Sequence, residues 1–214
     1  MSEKLNGFRM PGEWEAQKSV WIAWPYNKND WPGLYKFIPE VILEIIYKIS
    51  KHQKVNLIIN SKIENIKKIL KLRKIKNISF HRIKTDRIWL RDSGPIFLTN
   101  KKYKKKIILN FVFNGWAKYK NCKNDNKIND KLSKIVKLKK INPTIKKNGK
   151  SRKVIMEGGA FDVNGAGTIL LTEECLLSKI QERNKKFNKK DYERVFNKYL
   201  NIKNFIWLKK GCLL

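Results

Sequence analysis

The sequence predicts an α/β fold in a single domain that spans residues 1–214. Short apolar runs of strand length alternate along the chain with segments whose apolar residues recur at helical spacing. Such alternation is typical of proteins in which helices cover a sheet. The hydrophobic content of 42% is sufficient for a core, and a chain of this length should bury roughly 70% of its unfolded surface.

The first half of the chain predicts three strands separated by two helices. The runs of strand length are residues 19–24, 55–59 and 78–83, and residues 29–33 predict a loop. Within residues 35–51, five isoleucines recur at helical spacing, opposite two glutamates and a lysine. Ser61 is the predicted N-cap of the second helix, where Glu64 completes a capping box, and that helix runs to about Leu72.

The second half of the chain continues the alternation. Predicted strands cover residues 107–113, 154–156, 168–172 and 204–208, and predicted helices cover residues 125–140 and 189–200. Residues 164–167 read Asn-Gly-Ala-Gly, a turn signal that predicts a hairpin pairing strand 154–156 with strand 168–172. The lysine-rich segments 101–106 and 146–153 predict charged, solvated loops.

The net charge of +31 invites a nucleic-acid-binding interpretation, which the composition weakens. The chain contains 41 Lys, 27 Ile and 22 Asn, and A/T-rich codons explain much of that excess. Only 8 of the 49 basic residues are arginines, which bidentate recognition of bases and phosphates favours. We therefore expect nonspecific adhesion of nucleic acid at low salt, not specific recognition.

The cysteines and the apolar segments indicate a cytoplasmic protein. Cys122, Cys175 and Cys212 are odd in number and widely spaced, which argues against a disulfide framework or a zinc site. Cys175 follows two glutamates within an apolar segment and is interpreted as a core residue with a poorly nucleophilic thiol. Charged residues interrupt the longest apolar-rich stretch, residues 37–49, so we expect no membrane span and no contact with a membrane.

The strongest local signal is the segment Trp-Leu-Arg-Asp-Ser-Gly-Pro at residues 89–95. It places the carboxylate of Asp92 in a turn-prone loop, where it could accept two parallel hydrogen bonds from a guanidinium. Trp89 could cover the flat face of that cation, a contact worth roughly 0.5–2 kcal/mol. A structural alternative is that Asp92 pairs with Arg91 or caps a turn through Ser93.

Two further segments contribute candidate residues for binding such a cation. Glu157 precedes Gly158 and Gly159, and glycines allow backbone to approach a ligand closely. The structural alternative for these residues is a strand end followed by a bulge. Trp116, in the aromatic-rich loop 113–119, either lines a pocket or closes the core, and the sequence favours neither. The two histidines, His52 and His81, have no partner motif and are interpreted as structural.

These segments resemble the agmatine deiminase family, which includes bacterial peptidylarginine deiminase-like proteins. The matching stretches, in family order, are residues 10–15, 20–25, 89–95, 113–119, 157–159, 172–177, 181–184 and 206–208. The resemblance implies a pentein fold, a propeller of αβ units, of which this chain would form about three of five. It also implies that Asp92 is the catalytic carboxylate that grips the guanidinium, and that no metal or organic cofactor is used.

The reaction implied by the resemblance converts a small guanidinium substrate, agmatine, to N-carbamoylputrescine and ammonia for putrescine biosynthesis. It proceeds through a thiouronium intermediate on a cysteine, and the complete enzyme could form a homo-oligomer. The sequence departs from the family because it contains no Gly-His-x-Asp motif and no cysteine that matches the nucleophile. Arg87 also stands where plant-type members carry an acid.

We therefore expect the chain to be an N-terminal portion with little or no activity of its own. The alternative is a basic, non-enzymatic nucleic-acid-binding protein derived from a deiminase.

Overall fold

The computed structural model describes residues 5, 7–60, 63–102, 104–147 and 149–211, in two compact units. The smaller unit comprises Ala16–Leu90 and Lys123–Ile128. The larger unit comprises the described residues of Met1–Glu15, Arg91–Cys122 and Asn129–Leu214. The α/β fold class is confirmed, whereas the single domain over residues 1–214 stays a prediction.

The smaller unit contains a parallel three-stranded sheet covered by two helices. In chain order the elements are β1 (Ser19–Ala23), α1 (Ile38–Ser50), β2 (Lys54–Ile59), α2 (Ile63–Leu72) and β3 (Ile78–Arg82). Strand β2 lies between β1 and β3, with Val55 opposite both Val20 and Ile78. The predicted strands and helices are confirmed to within a few residues, and short 3₁₀ turns at Lys28–Asp30 and Tyr35–Phe37 precede α1. The predicted N-cap, Ser61, lies outside the described residues.

The core of the smaller unit explains why these elements were predictable. Five of the six residues of β2 are buried, as expected for a central strand of a parallel sheet. Leu43 and Ile46 of α1, and Ile66 and Leu70 of α2, contribute to the same buried cluster as the β2 side chains. Ile42, Ile46 and Ile49, spaced three and four residues apart, therefore lie on the helix face that packs in this cluster, whereas Ile45 is exposed.

The larger unit contains two three-stranded sheets and a hairpin. Its elements are α3 (Leu90–Ser93, shared with the smaller unit), β4 (Ile96–Asn100), β5 (Lys105–Leu109), α4 (Ile128–Val136), β6 (Lys140–Ile141), β7 (Thr144–Lys147), β8 (Lys150–Lys153), β9 (Phe161–Val163), β10 (Thr168–Thr172), α5 (Glu173–Leu177), α6 (Lys189–Leu200) and β11 (Asn204–Leu208). The sheet orders are β4-β5-β6 and β11-β10-β9, and β7 pairs with β8. In the described residues none of these sheets closes on itself.

Helix α6 anchors the core of the larger unit. The Asn188 side chain accepts from the backbone N–H of Asp191, whose own carboxylate accepts from the Asn188 N–H, a complete capping box. One face of the helix is buried, and Tyr192 and Phe196 are completely covered. The helix ends where Asn201 adopts a left-handed conformation.

Two predicted loops are wrong. The segment 101–106 contains the start of β5, which pairs antiparallel with the unpredicted strand β4. Residues 146–153 belong largely to the β7–β8 hairpin. All four residues of β8 are exposed, so this strand has no apolar face to signal it.

Three other predictions about the larger unit need correction. Strand 107–113 ends at Leu109, and Val112 makes only an isolated bridge with Ile155. Strand β10 pairs with β9, not with residues 154–156, because the turn at 164–167 folds the chain directly back onto Phe161–Val163. The helix predicted over 125–140 is a 3₁₀ turn followed by α4, which ends before Lys137, a residue with a left-handed φ of 54°.

Neither a membrane helix nor a metal cluster is found in the described part of the chain. No helix there is long and apolar enough to cross a membrane. No group of three or more His, Cys, Asp or Glu side chains in that part is arranged to hold a metal ion.

A buried carboxyl in the smaller unit should make its stability depend on pH. Asp125 is 1% exposed, and its Oδ1 accepts from the backbone N–H groups of Asp86 and Arg87 at 2.8 and 3.3 Å. Its Oδ2 has no hydrogen-bond partner among the described residues. Burial raises the pKa of Asp125 from 3.8 to about 6.

The raised pKa predicts a loss of stability as pH rises from about 4 to about 6. Within this window the unfolded chain releases the Asp125 proton while the folded chain retains it. Asp125→Asn stays neutral and keeps an acceptor for both N–H groups, so its denaturation midpoint should fall less over the window. Urea denaturation at several pH values measures the difference, and parallel curves for the two proteins would contradict the prediction.

Candidate functional site

Asp92 lies in the short helix α3 instead of the turn-prone loop predicted for it. Its carboxylate accepts hydrogen bonds from the backbone N–H of Gly159 and from the Trp116 side chain. Burial raises the pKa of Asp92, although these hydrogen bonds and the charges of Arg91 and Arg183 act in the opposite direction. The larger unit therefore holds a fixed, half-buried carboxylate.

The structural alternative in which Arg91 neutralises Asp92 finds little support in the geometry. The Arg91 guanidinium donates to the carboxylates of Glu13 and Asp162 and to the backbone oxygen of Gly158. None of the ion pairs among the described residues involves Asp92. Asp92 thus keeps the capacity to receive a cation.

Gly158 and Gly159 bring the second motif directly against the first. A Cβ on Gly158 would lie 2.3 Å from the backbone oxygen of Arg91, and one on Gly159 would lie 2.3 Å from Oδ1 of Asp92. Neither glycine has a positive φ, so the requirement is for space and not for an unusual backbone conformation. The two motifs, far apart in the sequence, therefore meet at these glycines.

Glu157 is almost completely buried and already has a cationic partner. Arg183 Nε donates to both Glu157 oxygens, at 2.8 and 3.1 Å, and the two residues are 6% and 1% exposed. Burial raises the pKa of Glu157, as does the nearby charge of Asp92, whereas Arg183 lowers it. The predicted role of Glu157 in substrate binding stays a prediction, and its first partner in the structure is an arginine.

Arg183 is a site residue that the sequence analysis missed. Its Nη1 also donates to the backbone oxygens of Cys175 and Gln181, at 3.3 and 2.5 Å. The next residue, Asn184, exchanges hydrogen bonds of 2.9 and 2.8 Å with the backbone of Ile155. The available signal was the Gln-Glu-Arg-Asn segment at 181–184, one of the stretches that resemble the family. A glutamate that is buried elsewhere in the chain needs a cationic partner, and Arg183 is that partner.

Trp116 is partly buried, and its contacts in the structure decide neither of the two roles that the sequence left open. Its ring meets Phe113 and Tyr119 edge-on, at centroid distances of 4.9 and 6.0 Å, and its side chain hydrogen-bonds to Asp92. The loop is tight because a Cβ on Gly115, whose φ is +66°, would lie 2.2 Å from the Tyr119 backbone oxygen. This fold of the loop fixes the indole, while direct contact of Trp116 with substrate stays a prediction.

Trp89 belongs to the smaller unit, where it is 43% exposed. Its ring lies 5.9 Å from that of Trp31, at an angle of 43°. In the same unit Arg87 forms a buried ion pair with Asp30 at 2.5 Å. The predicted stacking of Trp89 on a substrate cation stays a prediction.

Cys175 has the environment of a core thiol. It packs against the main hydrophobic cluster of the larger unit. Burial raises the pKa of Cys175, the charge of Arg183 lowers it, and the charges of Glu157, Asp92 and Glu174 raise it further. The structure therefore agrees with the interpretation of this cysteine as a poor nucleophile.

A cavity of about 740 Å³ in the larger unit adjoins these residues. Its lining residues are Phe113, Asn114, Ala117, Lys118, Tyr119, Lys120, Cys122, Arg152, Lys153, Ile155, Glu182, Arg183, Asn184, Lys185 and Phe187. Arg183 is therefore common to the cavity wall and to the carboxylate site.

The family model of the Porphyromonas-type peptidyl-arginine deiminases matches residues 9–214. The chain belongs to this family. Its members include proteins named provisionally as agmatine deiminases in Latilactobacillus sakei (30% identical, covering 100% of this chain and 56% of the relative) and Streptococcus mutans (32% identical, 97% and 55%). The chain thus spans little more than half the length of these relatives.

Solved structures of family members share the fold. The agmatine deiminase of Enterococcus faecalis superposes with a TM-score of 0.81 at 27% identity, covering 99% of this chain and 56% of the other. The agmatine deiminase of "C. Jejuni" gives a TM-score of 0.73 at 28% identity, covering 95% of this chain and 56% of the other. The mixed α/β architecture is therefore that of the agmatine deiminases, and hydrolysis is the family-level activity.

Proposed function

We propose that this chain supplies the guanidinium-binding part of an agmatine deiminase-type hydrolase. The observation that carries the proposal is the carboxylate of Asp92, held by Gly159 and Trp116 while Arg91 is directed to other partners. A carboxylate fixed in this way can accept two parallel hydrogen bonds from a planar guanidinium. Low surrounding polarity would strengthen the interaction, because burial reduces competition from water.

The proposed reaction converts agmatine to N-carbamoylputrescine and ammonia, within putrescine biosynthesis. In the chemistry implied by the family, a cysteine thiolate attacks the guanidinium carbon and ammonia leaves. Water then hydrolyses the thiouronium to the ureido product and regenerates the thiol. Burial raises the pKa of Cys175, which disfavours its thiolate form. The contribution that we propose for the described residues is recognition of the cation.

The remaining features of the proposal rest on the family resemblance and on composition. The chain would form about three of the five αβ units of a pentein propeller, in one domain of a cytoplasmic enzyme. Trp116, Glu157, Gly158 and Gly159 would surround the guanidinium with Asp92, and Trp89 keeps the substrate-binding role that the family resemblance implies for it. The proposal also includes a homo-oligomer of the complete enzyme and nonspecific adhesion of nucleic acid to the basic chain at low salt.

Replacing Asp92 by asparagine should abolish most of the affinity for agmatine. Breaking a buried charge pair costs roughly 3–5 kcal/mol, which corresponds to a loss of at least about 100-fold in affinity. Isothermal titration of the 214-residue chain with agmatine measures this loss. Asp130→Asn, a change of the same charge at an exposed residue of α4, is the matched control.

Equal affinities for the Asp92→Asn variant and the wild-type chain would show that Asp92 is structural. A comparison of agmatine with arginine and with an arginine peptide in the same titration ranks the three guanidinium compounds. Binding that depends on Asp92 in any of them supports the recognition of a guanidinium.

A further inference from the structure

Asp92 and Glu157 are two carboxylates that share one buried site in the larger unit. Burial raises the pKa of each carboxyl, and the charge of Asp92 further raises the pKa of Glu157. The charged and titratable groups that face them are Arg91, Arg183 and Cys175, with Glu174 and Tyr192 around these. The charge of one carboxylate disfavours ionisation of the other unless a cation compensates one of them.

Arg183 is the cation whose geometry meets this requirement. Nε donates to both oxygens of Glu157, and Nη1 donates to two backbone oxygens, those of Cys175 and Gln181. The guanidinium is therefore held in place from two sides and is nearly inaccessible to solvent. Arg91, in contrast, is half-exposed and directs its hydrogen bonds to Glu13, Asp162 and Gly158.

The charges of the site follow from this arrangement. Asp92 and Glu157 contribute two negative charges and Arg183 contributes one positive charge, so the buried set carries a net charge of one negative unit. That remaining charge resides on Asp92, because both Glu157 oxygens are engaged by Arg183. One guanidinium neutralises the site.

We infer that Arg183 is a positioning residue that occupies Glu157 and keeps it ionised, so that Asp92 alone receives the substrate cation. The inference rests on the proposed function, since it names what prepares the same site for a guanidinium. Without Arg183 the two carboxylates share a proton, and a cation can bind only when that proton is released. Binding then shifts to higher pH.

The first experiment measures protonation without any substrate. Carbon-detected NMR of ¹³C-labelled Asp and Glu carboxyls follows the titration of Asp92 and Glu157 in the wild-type chain, in Arg183→Gln and in Arg183→Lys. In Arg183→Gln the upper midpoint of the pair should rise by about 1–3 pH units. Arg183→Lys, which keeps the charge but lacks the two-pronged donor, should show a smaller rise. Arg194→Gln removes an exposed arginine of α6 that does not line the cavity, and it should change neither midpoint.

Unchanged carboxyl midpoints in both Arg183 variants would overturn the inference and leave Arg183 a structural role only. If Arg183→Gln does not fold, as judged by its amide NMR spectrum, the midpoint in Arg183→Lys decides by the same criterion. A rise in that variant supports the inference, and no rise overturns it.

The second experiment titrates agmatine into the same variants as a function of pH. Arg183→Gln should bind more weakly than the wild-type chain near neutral pH and recover affinity as pH rises. Loss of affinity by the same factor at every pH would contradict the inference. Absence of agmatine binding to the wild-type chain at every pH would refute the proposed function, while the carboxyl titration would still test the role of Arg183.

Discussion

Glu157→Leu should reduce the free energy of unfolding by roughly 3–5 kcal/mol, because it leaves the buried guanidinium of Arg183 without a carboxylate. Arg183 is only 6% exposed, so water cannot replace the two lost hydrogen bonds. The remaining backbone acceptors, the oxygens of Cys175 and Gln181, do not compensate the charge. Urea denaturation followed by tryptophan fluorescence measures the change.

An exposed ion pair of the same unit provides the control. Glu173 pairs with Lys189 at 2.6 Å, and both side chains are partly exposed. Glu173→Leu should cost less than about 1 kcal/mol, since exposed pairs contribute little. The double variant Glu157→Leu/Arg183→Met should recover much of the loss, because it removes both charges together. If Glu157→Leu lowers the free energy of unfolding as little as Glu173→Leu does, the buried pair contributes no more to stability than an exposed pair.

The sequence was a good guide to the smaller unit because its strands are buried by helices. Strand β2 is buried at five of its six residues and apolar at four of them, and the isoleucines of α1 repeat at helical spacing, so the residue pattern indicates which positions are buried. The larger unit was less predictable where lysines occupy strands. β8 consists entirely of exposed residues, and only its backbone pairing with β7 makes it a strand.

The residues of the candidate site likewise fall into those that the sequence could predict and those that it could not. Asp92 and Glu157 stood out because a carboxylate next to glycines is an unusual local pattern, and the structure brings their two segments together. Arg183 could not be assigned to Glu157, since the two lie 26 positions apart with β9, β10 and α5 between them, and only the folded chain brings the pair into contact. Pairings of this kind are properties of the tertiary structure, and local sequence carries no record of them.

Gly159→Ala should remove agmatine binding almost as completely as Asp92→Asn while leaving the protein folded. The added methyl group would lie 2.3 Å from Oδ1 of Asp92, so either the carboxylate rotates or the turn moves away and withdraws its N–H. A side-chain end can yield, and the cost in stability should stay near 1–3 kcal/mol, as for other overpacked positions. Isothermal titration with agmatine and urea denaturation together measure the two effects.

A substitution at the neighbouring glycine serves as a control. It distinguishes a steric effect on the Asp92 carboxylate from a general loss of stability. Gly158→Ala would place its methyl group 2.3 Å from the backbone oxygen of Arg91, which cannot rotate away, so this variant should lose more stability than Gly159→Ala. Gly211→Ala meets its neighbours only at 3.7 Å and should change neither binding nor stability. If Gly159→Ala binds agmatine as tightly as the wild-type chain, the orientation of Asp92 held by Gly159 is not the one that receives the cation. The carboxylate must then act from another rotamer, and the contact between the two motifs serves packing alone.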